Sequence, residues 1–310
     1  MRATLTFAAC VLAGLATGGC VGNDGSGEKK ARITVVATTG LVADLARNVG
    51  GSRARIEALL RRGVDPHDYQ PRPSEVKTLS EADVVLRSGG DVDRWLGELL
   101  RSAGSAGPAE DLIGAVRVRH DAGGRPDPHW WQDPRNARLA VARVRAALTR
   151  ADPAGRETYA ANAAGYLGRL RRLDREVARC LGRVPRTKRK LVTTHDSLGY
   201  YADRYGLEVI GALIPSLSSQ AQPSAGDTQR LIAQIRRQRV EAVFSESALD
   251  PRLERAVARE SGAEMGGTLW ADSLGPPGSN ADTYLRALAA NTATIVEGLT
   301  GGRVSCRPRG

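Results

Sequence analysis

DPAGRETYAANAAGYLGRLRRLDREVARCL, residues 152–181, repeats its apolar side chains at intervals of three and four: Tyr159, Ala163, Tyr166, Leu170, Leu173, Val177 and Leu181. That spacing puts them on one face of a single helix of about 28 residues, roughly 40 Å long at 1.5 Å of rise per residue. Asp152-Pro153 marks its start. Such a seam serves either a coiled-coil dimer or an intramolecular strut. The strut is the reading adopted, because strand-and-helix patterns lie on both sides of it and its length can span two lobes.

Ahead of the strut, Arg32 to Thr38 (RITVVAT) is a β-branched run, followed by Gly40 and a helical pattern through Leu41, Leu45 and Val49. Ile56 to Leu60, Asp83 to Arg87 (DVVLR) and, more weakly, Val116 to Val118 read as further strands. Ser74 is placed to cap a helix through Leu79, and Gly89-Gly90 turns the chain into an amphipathic segment carrying Trp95, Leu96 and Leu99. Asp133 as N-cap and Pro134 at the first helical position begin a helix through Leu139, Val141, Val144 and Leu148. Beyond the strut the pattern resumes. Lys190 to Thr194 (KLVTT), Leu207 to Leu213 (LEVIGAL) and Glu241 to Ser245 (EAVFS) are strands, and Ala263 to Leu269 is a Gly-broken fourth run. Helices are expected from Pro223-Ser224 and from about residue 282 to Leu299, the last stopping at Gly301-Gly302. This alternation gives an α/β chain of parallel βα units. The expected boundaries are 1–19, 20–31, 32–151 for a first lobe, 152–183 for the bridging helix and 184–310 for a second lobe.

The sequence holds only four histidines. Three sit in punctuated turns: Asp65-Pro66-His67, Asp127-Pro128-His129-Trp130-Trp131-Gln132-Asp133-Pro134 and Thr194-His195-Asp196. In open parallel sheets, ligands gather beyond the carboxyl ends of strands. His67, His129, His195 and Asp272 all fall in such loops, two from each half. The pattern suggests ligands converging on one metal ion; three unrelated loop histidines are the other reading. Trp130, Trp131 and Trp270 each lie within two residues of one of these positions, where they could exclude water or simply pack in the core. Glu246, at a strand end, is read first as a helix cap or surface group and second as a carboxylate orienting a histidine. His120, in a Gly-rich loop, is expected to be solvated.

Met1-Arg2 followed by an apolar run to Thr17 reads as a signal peptide, and Leu15-Ala16-Thr17-Gly18-Gly19-Cys20 resembles a bacterial lipobox, although Thr17 stands where leucine is usual. Acylation of Cys20 would tether the chain to the outer face of a membrane through the flexible, polar residues 21–30; plain secretion is the alternative. The net charge of +11 is scattered arginine without a nucleic-acid motif or interleaved aromatics, so nucleic acid is set aside as a partner in favour of anionic lipid headgroups. Cys180 and Cys306 remain as an even pair, and an oxidising compartment favours a disulfide between them.

Taken together the chain resembles the extracytoplasmic zinc and manganese solute-binding lipoproteins of bacterial ABC importers. The resemblance covers nearly all of the chain after the leader. It rests on DPHDYQP (65–71), SGGDVDRWL (88–96), DPHWWQDP (127–134), THDSLGYYADRYGL (194–207), QPSAGD (222–227), FSES (244–247) and WADSLG (270–275). It implies two four-stranded α/β lobes bridged by one long helix. It also implies His67 and His129 from the first lobe, and His195 and Asp272 from the second, as metal ligands. A long His-rich insertion common in the zinc receptors is absent; His120 alone stands in its place.

The function expected is capture of a divalent metal outside the membrane and delivery to an ABC importer permease, by a monomer. Three imidazoles and one carboxylate suit tetrahedral Zn²⁺. In the manganese receptors that the chain resembles, a carboxylate commonly stands at the position of His195, so Mn²⁺ is the alternative cargo. A zinc-dependent hydrolase is the alternative from another class. It would need an open position for water and a general base, and no HExxH or nucleophile motif is present.

Overall fold

Apart from Met1, the computed structural model describes residues 32–104, 108–121 and 123–309. The chain divides into two units, residues 1–31 and 32–310. The signal peptide, the acylated Cys20 and the tether lie outside the described residues, and everything below concerns the second unit.

The β-branched run becomes β1 (Ile33–Ala37), whose inner residues Val35, Val36 and Ala37 are fully buried. It is flanked by β2 (Ala54–Ala58) and β3 (Val84–Arg87), with β4 (Ala109–Asp111) at the edge, in the all-parallel order β2-β1-β3-β4. The fourth strand is thus not the expected Val116–Val118. There the N–H of Arg117 donates to Asn136 and its carbonyl accepts from the same amide, while the N–H of Arg119 donates to the Tyr200 hydroxyl. Side chains satisfy this backbone, so it joins no sheet ladder. In the second half β5 (Lys190–His195) pairs in parallel with β6 (Glu208–Ile214), and β7 (Ala242–Glu246) with β8 (Glu264–Leu269). These are two separate two-stranded sheets rather than the single four-stranded sheet that the resemblance implies; β5 packs beside β7, and their carboxyl ends meet where Glu246 accepts the N–H of His195.

The helices are α1 (Gly40–Gly50), α2 (Pro73–Ser80), α3 (Leu96–Ala103), α4 (Pro134–Ala151), α5 (Arg156–Gly182), α6 (Gly199–Tyr205), α7 (Ala225–Gln238), α8 (Arg252–Ser261) and α9 (Tyr284–Thr300). The strut is α5, 27 residues long and preceded by a 3₁₀ turn at Pro153–Gly155. All seven apolar positions of its seam are buried. At roughly 1.5–3 kcal/mol for each large side chain removed from water, that face commits the helix to the interior. It packs against α4 and α1 from the first half and α9 from the last segment. Caps follow the sequence at Asp133 and Ser224, the latter in a capping box with Asp227. Ser74 is instead inside α2, whose N-cap is Arg72, because Pro73 takes the first helical position. The last helix starts at Tyr284 after a Thr283 cap.

One apolar cluster runs from Val35 and Trp130 through the α5 seam to Leu191, Phe244 and Leu299, so the strands of both halves share a core. Cys180 at the end of α5 is joined to Cys306 in the carboxyl-terminal tail, with Cα atoms 5.5 Å apart and a separation of 126 positions in sequence. Among the described residues no helix is long and apolar enough to cross a membrane.

Candidate metal centre

His67, His129, His195 and Asp272 meet between the two halves, each offering one donor atom, and all four donors lie within 4.8 Å of one another. Each arrives by a different local device. His67 sits in a 3₁₀ turn (Pro66–Asp68) whose cap, Asp65, accepts the His67 N–H at 2.9 Å. Asp65 is itself held from the other half by the Ser219 hydroxyl at 2.5 Å. His129 precedes a 3₁₀ turn (Trp130–Gln132) that runs through Asp133 into α4. His195 is the last residue of β5, and Asp272 follows β8.

The nitrogen that each of two rings turns away from the cluster is held by a carboxylate. Asp127 accepts both the N–H of His129 at 3.0 Å and its Nδ1–H at 2.8 Å. Glu246 accepts the N–H of His195 at 3.1 Å and its Nδ1–H at 2.9 Å. In the neutral imidazoles these bonds select the tautomer whose Nε2 lone pair points at the common centre. Asp127 is fully buried and is anchored in turn by Arg119 at 3.2 Å, while its carbonyl accepts the Tyr200 hydroxyl at 2.9 Å. Glu246 is buried, at 5% exposure, rather than the surface or capping group that ranked first from sequence.

The donor spacing has a definite shape. Nε2 of His129 is 3.4 Å from Nε2 of His67 and 3.3 Å from Nε2 of His195. Asp272 Oδ2 is 3.4 Å from His67 and 3.2 Å from His195, and Oδ1 is 3.8 Å from His129. Donors about 2.0–2.1 Å from one ion at tetrahedral angles stand about 3.3–3.4 Å apart. Adjacent corners of an octahedron with the same bond length would be only about 2.9 Å apart. The His129–His67, His129–His195, Asp272–His67 and Asp272–His195 spacings match tetrahedral edges, and the Asp272–His129 spacing of 3.8 Å is longer. Asp272 Oδ1 is buried and accepts no hydrogen bond, an anionic oxygen whose burial a cation would offset.

Electrostatics agree with that reading. Burial alone would push the Asp272 carboxyl up, yet the imidazoles of His129 and His195 hold it well below the ordinary carboxylate range. Burial likewise pushes His195 down, but Glu246 and Asp272 together hold it well above the ordinary imidazole range. The fully buried His129 and His195 thus lie beside a carboxylate that stays ionised. A cleft of only about 10 Å³, lined by Asp65, Glu246 and Asp272 among others, adjoins the donors. An organic substrate does not fit there.

The tryptophans have separate tasks. Trp131 stacks edge-on to His129, with centroids 5.5 Å apart, and donates its Nε1–H to the Ala271 carbonyl at 2.9 Å. Gln132 donates to the same carbonyl at 2.8 Å, so the loop before α4 clasps the residue preceding Asp272. Trp130 is fully buried and bonds the Ser88 carbonyl at 3.2 Å. That carbonyl is presented by a turn at Gly89, whose φ of 88° and contact with Asp111 leave no room for a side chain. Trp270 is half-buried, its N–H and carbonyl both paired with the Asn291 amide. His120 is exposed and outside the cluster. Sequence reasoning missed Asp65 and Asp127 as supports, although each occupies the first position of an Asp-Pro-His triplet, the signal that could have found them. Arg119, Ser219 and Tyr200 had no local signal.

A family model described as zinc-uptake complex component A, periplasmic, matches residues 35–298. The chain is 29% identical over 301 residues to the iron-binding protein YfeA of Yersinia pestis, covering 96% of each chain. It is 26% identical over 278 residues to the manganese ABC transporter substrate-binding lipoprotein PsaA of Streptococcus pneumoniae, covering 86% of this chain and 89% of that one. Among solved structures, the periplasmic zinc-binding protein TroA of Treponema pallidum superposes with a TM-score of 0.81 at 27% identity, covering 87% of this chain and 99% of that one.

Proposed function

The chain belongs to the family of the periplasmic component A of zinc-uptake complexes, and from that membership we propose that it captures Zn²⁺ through His67, His129, His195 and Asp272 and hands it to an ABC importer permease. The family consists of extracytoplasmic metal-binding receptors of such importers and not of enzymes. Its relatives are named as periplasmic proteins or as lipoproteins, and this chain shares their location outside the cytoplasm. The finer reading is the identity of the ion. The observation that carries it is the donor set of three imidazoles and one carboxylate, four of whose spacings, at 3.2–3.4 Å, match the edges of a four-coordinate zinc site. A divalent ion bound there meets a ligand set of net charge −1. Residues 32–151 and 184–310 serve as the two lobes in this reading, with Cys20 as the lipid anchor and a monomer as the working unit.

Mn²⁺ is the second reading, favoured by the name of the streptococcal relative. Manganese ordinarily takes more oxygen ligands than the single carboxylate in this cage provides. X-ray absorption at the metal edge of the loaded protein separates the two. Four nitrogen and oxygen neighbours at about 2.0 Å are expected with Zn²⁺. A six-coordinate zinc, or tighter retention of Mn²⁺ than of Zn²⁺ in a direct competition, would overturn the assignment.

A further inference from the structure

A groove of about 530 Å³ opens where the extended segment at Arg117–Arg119 passes between the start of α4 and α6, with Leu167 of α5 in its wall. That volume falls in the range of small-molecule sites, about 300–1,000 Å³. Its lining combines two features seldom left open to water. Val118 and Leu139 are 38% and 39% exposed, and they are two of the three large apolar side chains left exposed among the described residues after Met1. Four arginines surround them. Two are neutralised: Arg119 by Asp127 and Asp203, and Arg135 by Asp133. Arg117 and Arg138 have no carboxylate partner among the described residues, and the Nε of Arg138 is buried without a hydrogen-bond acceptor. An anion in the groove would give the Arg117 and Arg138 guanidinium groups the charge-assisted partner that no carboxylate among the described residues supplies.

We infer that this groove binds a small soluble amphiphilic anion, with a carboxylate or phosphate head paired to Arg117 and Arg138 and a short apolar body laid over Val118, Leu139 and Leu167. The site is separate from the metal cage. Its charge pattern selects the ligand: the two carboxylates in the wall are already paired, so Arg117 and Arg138 supply the free positive charge beside the apolar floor. A head without a body forfeits the apolar contact, and a body without a head leaves the arginines as they are.

The test is a fluorescence titration of metal-free protein with 8-anilinonaphthalene-1-sulfonate, an aromatic anion of suitable size, in the wild type and in R117Q/R138Q. One saturable site is expected, weakened at least tenfold in the double variant and likewise by Leu139→Asn. Arg171→Gln, an exposed change on α5 outside the groove, should leave it unaltered. Circular dichroism checks that each variant is folded. Hexyl phosphate should displace the probe where inorganic phosphate at equal concentration does not. Three results would overturn the inference: no saturable site in the wild type, equal affinity in R117Q/R138Q, or displacement by phosphatidylglycerol vesicles without displacement by hexyl phosphate. None of these outcomes depends on whether metal binds at the cage.

Discussion

Replacing Glu246 isolates the contribution of one carboxylate that touches no metal donor atom. Glu246 accepts two hydrogen bonds from His195, one from the backbone N–H at 3.1 Å and one from Nδ1–H at 2.9 Å. Loss of such a support typically lowers metal affinity by about 10- to 100-fold, or about 1.4–2.8 kcal/mol. Glu246→Gln keeps an acceptor of the same size but removes the charge, so a loss of about tenfold is expected, with about 100-fold for Glu246→Ala. A second effect opposes the first. Glu246 is one of the groups that hold His195 well above its ordinary pKa, and the metal must displace that proton. Removing the carboxylate eases the proton competition, so the variant's deficit should be smallest at neutral pH and grow toward alkaline pH, where the wild-type imidazole is already deprotonated. The assay is competition with a zinc chelator at several pH values, together with thermal melts of the metal-free proteins to confirm folding. A Glu246→Ala protein that is folded and binds zinc within twofold of wild type at alkaline pH would refute the argument that Glu246 orients His195.

Zinc affinity of the wild type should decline as pH falls, beginning above the ordinary imidazole value of 6.5 because His195 is held up by Glu246 and Asp272; equal chelator competition at pH 8 and pH 6 would contradict this. In metal-free protein the signs are opposite for the two shifted groups. His195 supports the fold at low pH and loses that support as pH rises through its raised value, whereas Asp272 supports it until pH falls through its depressed value, so melts across the pH range should show both limbs. Reducing Cys180–Cys306, which spans 126 residues, should destabilise the chain by about 5 kcal/mol on the loop-entropy model, lowering the melting temperature by roughly 10 °C. Titration of unfolded, unreduced protein should find neither thiol free. Scattering curves with and without zinc should differ little in radius of gyration, because the strands of both halves share one apolar core and the halves are tied by Trp131 and Gln132 to Ala271 and by Arg62 to the carbonyls of Gly275 and Asp282. A large contraction on loading would count against that.

The long helix was legible because its seven apolar positions obey one period and all serve one buried face. The strands β1, β3, β5 and β7 were legible as β-branched or apolar runs for the same reason. Val116–Val118 misled because local composition matches a strand while Asn136, 19 residues downstream, takes both backbone hydrogen bonds of Arg117. Helices α6 and α8 were not anticipated. α6 is only seven residues long, and α8 carries a narrow apolar stripe among charges, so neither presents a sustained period. In the candidate site, scarcity and turn chemistry singled out the histidines. Glu246 was legible only as a second reading and Arg119 not at all, because their roles arise from approach across 51 residues to His195 and eight to Asp127, distances that only the packed sheets and loops define.

In the proposed zinc site three histidines and Asp272 act together and the remaining histidine takes no part. Competitive titration of wild type, His195→Ala and His120→Ala against a zinc chelator tests it most directly. His195 is fully buried with its Nε2 3.3 Å from that of His129, whereas His120 is exposed and outside the cluster. Severe loss of zinc affinity is expected in His195→Ala and wild-type affinity in His120→Ala. Equal affinity in wild type and His195→Ala would contradict it.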